Sequence, residues 1–260
     1  MSPLRRDNLE LLSSSDEGPL MSATKQRSYS YSPVHRTLEI TAILSLFLMV
    51  FAGGWRVATS DLDALMGIVF WALLTGYVLA DFASGFVHWA CDRFGTEDTP
   101  LLGPNFIKPF RHHHVDPKAI THHDFIETNG NNSIVTLPMM GLAWLIPVSS
   151  TWGLFMFTSL TSLAFWIFLT NQFHKWSHQH REEVPWVIQR LQDAKIIMSV
   201  DHHQMHHTAP HDSYYCITSG WLNRPLDAIN FWGRAELLVE RLFQVKPYQD
   251  PHPNTHHSQT

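Results

Sequence analysis

Apolar and polar residues fall in long blocks along this chain, not in the short alternation of a soluble fold. Ile40 to Trp55 has no Asp, Glu, Lys or Arg, and neither has Ala64 to Ala80. After Asp81 a further apolar stretch runs to Cys91, and Thr128 to His174 again carries no formal charge. A bilayer core of ~30 Å takes about 20 apolar residues at 1.5 Å each. The last block is therefore long enough for two spans, with Pro147-Val148-Ser149-Ser150 as the turn between them. The pattern predicts four membrane helices at about 38–55, 65–88, 133–148 and 152–173. The third is short, and Pro138 inside it predicts a kink or a tilted, partly interfacial segment. The expected fold class is all-α: a four-helix integral membrane protein with a cytosolic, helical, histidine-rich cap.

The flanks differ in character. Residues 1–34 are rich in Ser and charge, and no apolar run precedes Leu38, so a disordered tail without a cleavable signal peptide is expected. Residues 246–260 read as a second polar tail, leaving 35–245 as the membrane domain. Arg5, Arg6, Lys25, Arg27 and Arg36 precede the first span, whereas the loop 56–63 sets Arg56 against Asp61 and Asp63. The positive-inside rule then places both termini in the cytosol. Lys108, Arg111, Lys118, Lys175, Arg181, Arg190 and Lys195 agree with that orientation.

Composition changes the picture in three ways. Charged residues make up only 16% of the chain, against about 25% in an ordinary soluble domain, while the mean hydropathy of −0.10 averages polar ends over an apolar middle. A net charge of −5 disfavours a phosphate-tracking nucleic-acid binder. Cys91 and Cys216 are the only cysteines, which excludes a disulfide framework, a four-cysteine zinc site and an iron–sulfur cluster.

Histidine is the abundant chemical group, 18 residues in all. His88 and Asp92 stand four apart at the cytosolic end of the second span. Arg111-His112-His113-His114 and Thr121-His122-His123-Asp124 follow. The fourth span ends in His174-Lys175-Trp176-Ser177-His178, and the last cluster is His202-His203-Gln204-Met205-His206-His207 with His211 beyond it. Positions i, i+3 and i+4 share one helix face, so His174 with His178, and His203 with His206 and His207, point together. Eight or so imidazoles exceed the four ligands of one tetrahedral zinc and suit two six-coordinate irons, with a carboxylate or Asn oxygen completing the shell. A lone His88 reads as readily as a packed interfacial residue; Asp92 and the companion clusters favour ligation. His112 and His122 read as surface companions, and His35, His180, His252, His256 and His257 as solvated. Asp124 and Glu127 are candidates for orienting imidazoles, or are simply solvated.

Longer motifs carry a resemblance. Phe110-Arg111-x-His113-His114-x-Asp116-Pro117, His123-Asp124-Phe125-Ile126-Glu127-Thr128-Asn129-Gly130, Thr170-Asn171-Gln172-x-His174-Lys175-Trp176-Ser177-His178 and Pro210-His211-x-x-Tyr214-x-Cys216-Ile217-Thr218-x-Gly220-Trp221-Leu222-Asn223 are similar to the membrane histidine-box di-iron lipid desaturases of the plasmanylethanolamine desaturase (Kua/CarF) type. The resemblance covers roughly residues 35–245, and His112 and His122 are extra to it. It implies that O2 and electrons from cytochrome b5 are used to place a 1′,2′ vinyl-ether double bond in the alkyl chain of an ether phospholipid, at the endoplasmic reticulum membrane. It implies two iron ions held by His88, His113, His114, His174, His178, His203, His206 and His207. Asp92, Asn171, His123, His202 and His211 are second choices. The basic residues Lys108, Arg111, Lys118 and Lys175 are the expected donor-docking patch. The rivals are a related di-iron fatty-acid or sterol desaturase or hydroxylase, and a histidine-rich metal transporter or sensor. The central parts of the spans lack histidine, which argues against a conduction path.

Overall fold

A computed structural model describes residues 32–60 and 65–249. Most of the two expected polar tails lies outside the described residues. Four long helices form the body: α1 (Pro33–Ala58), α2 (Leu65–Arg93), α4 (Phe125–Trp144) and α5 (Thr151–Ser177). Short helices make the cap: α3 (Lys108–Val115), α6 (Trp186–Asp193), α7 (Val200–His206), α8 (Asn223–Ala228) and α9 (Phe231–Phe243). No strand occurs among the described residues.

α1, α2 and α5 are each long and apolar enough to cross a bilayer. α4, which begins eight residues before the third expected span (133–148) and ends at Trp144, short of that span's end, is not in that set. Its first half carries Asn129, Asn131 and Asn132, and the helix continues through Pro138 to Trp144. The large apolar residues Phe51, Trp55, Phe70 and Trp71 are exposed, as lipid-facing positions of a membrane protein are. α5 is central. Half of its apolar window is buried, against 28% for α1 and for α2, and it packs on α1, α2 and α4. At the α2–α5 contact a Cβ on Gly76 would stand 2.4 Å from Ser162 Cβ, and Ser162 Oγ donates to the Leu73 carbonyl at 2.8 Å. This is the close approach through small residues that membrane helices use. Ile43, Leu46, Met140, Ala164 and Phe168 form the core where α1, α4 and α5 meet.

Polar ties fix which ends lie together. Asp124 caps α4 by accepting from the N–H groups of Ile126 and Glu127 at 2.9 and 3.0 Å, and it holds Arg36 of α1 in a two-point ion pair. Lys175 of α5 donates to the His123 carbonyl at the same end. At the opposite end Arg56 donates to the carbonyls of Trp144 and Ile146. The bundle therefore runs up and down, and α2 and α5 finish on the side where α1 and α4 begin.

Residues 215–222 are irregular backbone laid along α2, and unpaired peptide groups at that depth are costly. Asp81 Oδ1 accepts from the N–H groups of Ser219 and Gly220 at 2.7 and 2.8 Å, and Oδ2 from Leu222 at 3.1 Å. Ser84 Oγ accepts from Ile217, and Asn223 pairs with both backbone groups of Cys216. Gly85 lets the segment touch the helix: a Cβ there would lie 2.5 Å from Cys216 Sγ. Trp89, Tyr215, Cys216 and Trp232 close over it as a second core. Asp81→Ala should therefore lower stability by roughly 3 kcal/mol or more, since three buried N–H groups lose their acceptor. Asp81→Asn, which keeps an acceptor oxygen, should lose less. Thermal unfolding in detergent checks the order.

Candidate metal centre

α2 carries His88 and Asp92 in its last two turns; α5 carries His174, with His178 at its C-cap. The C-terminal ends of two helices favour positive charge between them. α3 adds His113 and His114, and α7 adds His203 and His206, with His207 at its C-cap. The side chains gather into two groups. One ligand atom each from His113, His174, His178, His203 and His207 lie within 4.8 Å of one another, and His88, Asp92, His114 and His206 do the same.

In the five-histidine group the Nε2 atoms form a closed ring of contacts. His113 to His178 is 2.9 Å, His178 to His174 3.2 Å, His174 to His203 2.9 Å, His203 to His207 3.0 Å and His207 to His113 3.1 Å. An imidazole Nε2 is either a donor or an acceptor, so hydrogen-bonded neighbours must alternate. A ring of five cannot alternate. At least one contact would set lone pair against lone pair or proton against proton. A cation accepting all five lone pairs removes the conflict. With metal–nitrogen bonds of about 2.1 Å, neighbouring ligands at right angles stand about 3.0 Å apart, and tetrahedral ones about 3.4 Å. The observed spacing fits the higher coordination number.

The four-donor group is looser. Asp92 Oδ2 stands 3.4 Å from His88 Nε2 and 3.6 Å from the Nε2 atoms of His114 and His206, while His114 and His206 are 2.9 Å apart. The far nitrogens are committed elsewhere: His88 Nδ1 meets the Tyr215 carbonyl at 3.1 Å and His206 Nδ1 the Ser213 carbonyl at 2.7 Å. Donation of Nδ1–H to those carbonyls leaves Nε2 as the ligand atom. Burial, and after it the neighbouring imidazoles, holds His113, His114, His203 and His207 well below the usual histidine range. Burial likewise brings His178 down to about 3 and His206 to about 4. The rings are thus neutral at pH 7, as metal ligation requires.

Comparison with known proteins agrees. The lipid desaturase domain profile matches residues 77–250. The chain belongs to the lipid desaturase family. It is 45% identical over 229 residues to a protein of Mus musculus named plasmanylethanolamine desaturase 1, spanning 85% of this chain and 83% of that one. It is 44% identical over 220 residues to the plasmanylethanolamine desaturase of Myxococcus xanthus, spanning 85% and 77%. To the chloroplastic fatty acid desaturase 4 of Arabidopsis thaliana it is 33% identical over 181 residues, 69% of this chain and 54% of that one. No solved structure matches it significantly.

All eight histidines expected as ligands of this lipid desaturase point into the two groups. Of the second choices, Asp92 lies inside the four-donor group, and His211 stacks on His114 with ring centres 4.6 Å apart. Asn171 faces α4, donating to the Thr128 carbonyl at 3.2 Å. His123 pairs with Glu127 at the surface, and His202 packs against Tyr214. These three, like His112 and His122, are in neither group. Asp124 serves as a helix cap and inter-helix tie. Sequence reasoning passed over two residues. Tyr215 is fully buried with its ring 5.8 Å from that of His88 and 5.2 Å from that of His206, and Asp81 clamps the segment that positions it. A lone acid inside an apolar span was the available signal for Asp81.

In the metal-free protein these rings take up protons only when it unfolds. Stability is then complete above about pH 6.5 and declines as the pH falls toward the lowered native values. Thermal melts of chelator-treated protein between pH 7.5 and 5 check this. His203→Ala and His206→Ala should each weaken metal binding by more than roughly 100-fold, whereas Asn171→Ala and His123→Ala should leave metal content unchanged by elemental analysis.

Proposed function

We propose that this protein is a plasmanylethanolamine desaturase, inserting the 1′,2′ double bond of a vinyl ether into the O-alkyl chain of an ether phospholipid. The observation that carries the reading is the pair of buried donor groups at the C-terminal ends of α2 and α5, in a chain so similar to enzymes of that name. One hydrogen leaves each of C1′ and C2′, and these two hydrogens with O2, two electrons and two protons form two waters. Two irons, held by His113, His174, His178, His203 and His207 and by His88, Asp92, His114 and His206, would supply the O2-dependent oxidising chemistry that side chains lack. Oxygen and imidazole donors suit iron, and thiolates are absent from both groups.

The chain's own residues set the stage. The looser four-donor group leaves room beside Asp92 for a reacting carbon, while the five-histidine group is filled by protein nitrogens. Tyr215, Trp89 and Trp232 keep water from one flank of His88 and His206, protecting a strong oxidant from side reactions. Reduced cytochrome b5 is the electron donor, with the enzyme in the endoplasmic reticulum membrane and both termini cytosolic. Lys108 is well exposed and Lys118 lies at the surface beside His180, so these two remain for donor docking. Arg111 and Lys175 are turned inward onto backbone carbonyls. A fatty-acid substrate is the second reading, favoured by the similarity to the Arabidopsis protein.

Expression in cells that lack plasmalogen synthesis tests this. About two irons per purified chain, together with new acid-labile vinyl-ether lipids, is the expected result. Iron with a desaturated fatty acid and no vinyl ether would move the substrate to the second reading; stoichiometric zinc would overturn the redox chemistry.

A further inference from the structure

A cavity of about 150 Å³ opens on the four-donor group. Asp92, His114 and His211 line it on one side, and Arg93, Glu97, Arg111 and His112 are among its other lining residues. Most of its charges are already answered. Asp92 faces three imidazoles. Arg93 is paired with Glu236, Nε to Oε1 at 2.6 Å, and Glu97 lies 3.9 Å from Lys108. Arg111 differs. Its Nη2 donates to the carbonyls of Phe94 and Gly95 at 3.1 and 3.0 Å, and its guanidinium stacks over the Tyr248 ring at 3.9 Å. Its Nε is buried without a hydrogen-bond partner, and no carboxylate pairs with it among the described residues. A guanidinium set over a ring, lining a cavity and without a carboxylate partner, suits a phosphate or carboxylate.

Substrate geometry says which anion belongs there. From the phosphorus of an ether phospholipid to C1′ the path is P–O–C–C–C–O–C1′. At ordinary bond lengths, three bonds extending by about 3.5 Å, those six bonds reach roughly 7 Å at most. A reacting C1′ at the four-donor group therefore keeps the phosphate close to that group, on which this cavity opens. A carbon far down an acyl chain would put no such demand on the protein. We infer that the cavity beside Arg111 is the headgroup phosphate subsite, with Arg111 as its anchor and His112 on its wall. The inference rests on the desaturase reading above and deepens it: recognition of a phospholipid, as opposed to a neutral ether lipid, lies with Arg111.

The test pairs residue with headgroup. The full-length enzyme in vesicles is given either a plasmanyl phospholipid or the matching 1-O-alkyl-2-acylglycerol, which lacks the phosphate, and vinyl-ether formation and iron content are measured. Wild type should prefer the phospholipid. Arg111→Gln should lower kcat/KM for the phospholipid, relative to that for the neutral lipid in the same variant, by roughly 10- to 100-fold, the range for a lost charge-assisted hydrogen bond, with iron retained. His112→Glu is a second arm at an exposed position, so folding is not at stake. It should raise KM for the phospholipid alone. Equal loss on both lipids in Arg111→Gln with iron retained, or an unchanged phospholipid KM in His112→Glu, would overturn the subsite. Thermal stabilisation by inorganic phosphate, without wild-type preference for the phospholipid, would assign the cavity to a free anion and also overturn it. No vinyl ether from either lipid in wild type would instead remove the desaturase reading beneath it.

Discussion

Five imidazole nitrogens facing one another in a closed ring, shut away from water, are the constraint on which the architecture turns. Neutral rings are favoured there because burial penalises protonation, yet neutral rings cannot satisfy an odd cycle of hydrogen bonds. A shared cation would resolve the conflict, and the four donors beside it pose the same demand more loosely. Binding free energy at such a site is folding free energy. A cation bound there would tie together helices from distant parts of the chain that apolar packing already brings side by side.

The long helices answer by geometry. α5, packed on three others, brings His174 and His178 to the end of α2 where His88 and Asp92 sit. The two C-terminal ends add their carbonyl dipoles to the donor set. The cap must then return backbone to the helix surface, where peptide groups need partners. Asp81, Ser84 and Asn223 supply them. Because the carbonyls of Ser213 and Tyr215 orient His206 and His88, the clamp on this segment also sets ligand direction.

The two donor groups are unequal, and the difference has chemical use. The five-histidine group is closed by protein, while the four-donor group borders a cavity. With metal in both groups, the looser one beside the cavity would be the one open to substrate.

Much was legible from local pattern. Uncharged blocks located the long helices, and i, i+4 spacing picked out His88 with Asp92, His174 with His178 and His203 with His207, because helical periodicity is a property of neighbouring residues. Asp124 was read as an imidazole partner or a solvated acid and proved to be a helix cap. His202 sits beside His203 in sequence but points elsewhere, since adjacent positions on a helix face different directions, while Asn171 turns to α4 and His123 to Glu127. The division of the histidines between two groups, the entry of Asp92 into one of them, and the inward turn of Arg111 were settled by tertiary structure alone. Each depends on which elements meet across tens of residues, and spacing within one helix carries no information about its partner. The residue types and their helical spacing came from the sequence; which lone pairs share a centre, and which arginine stands over it, came from the packing of α2, α3, α5 and α7.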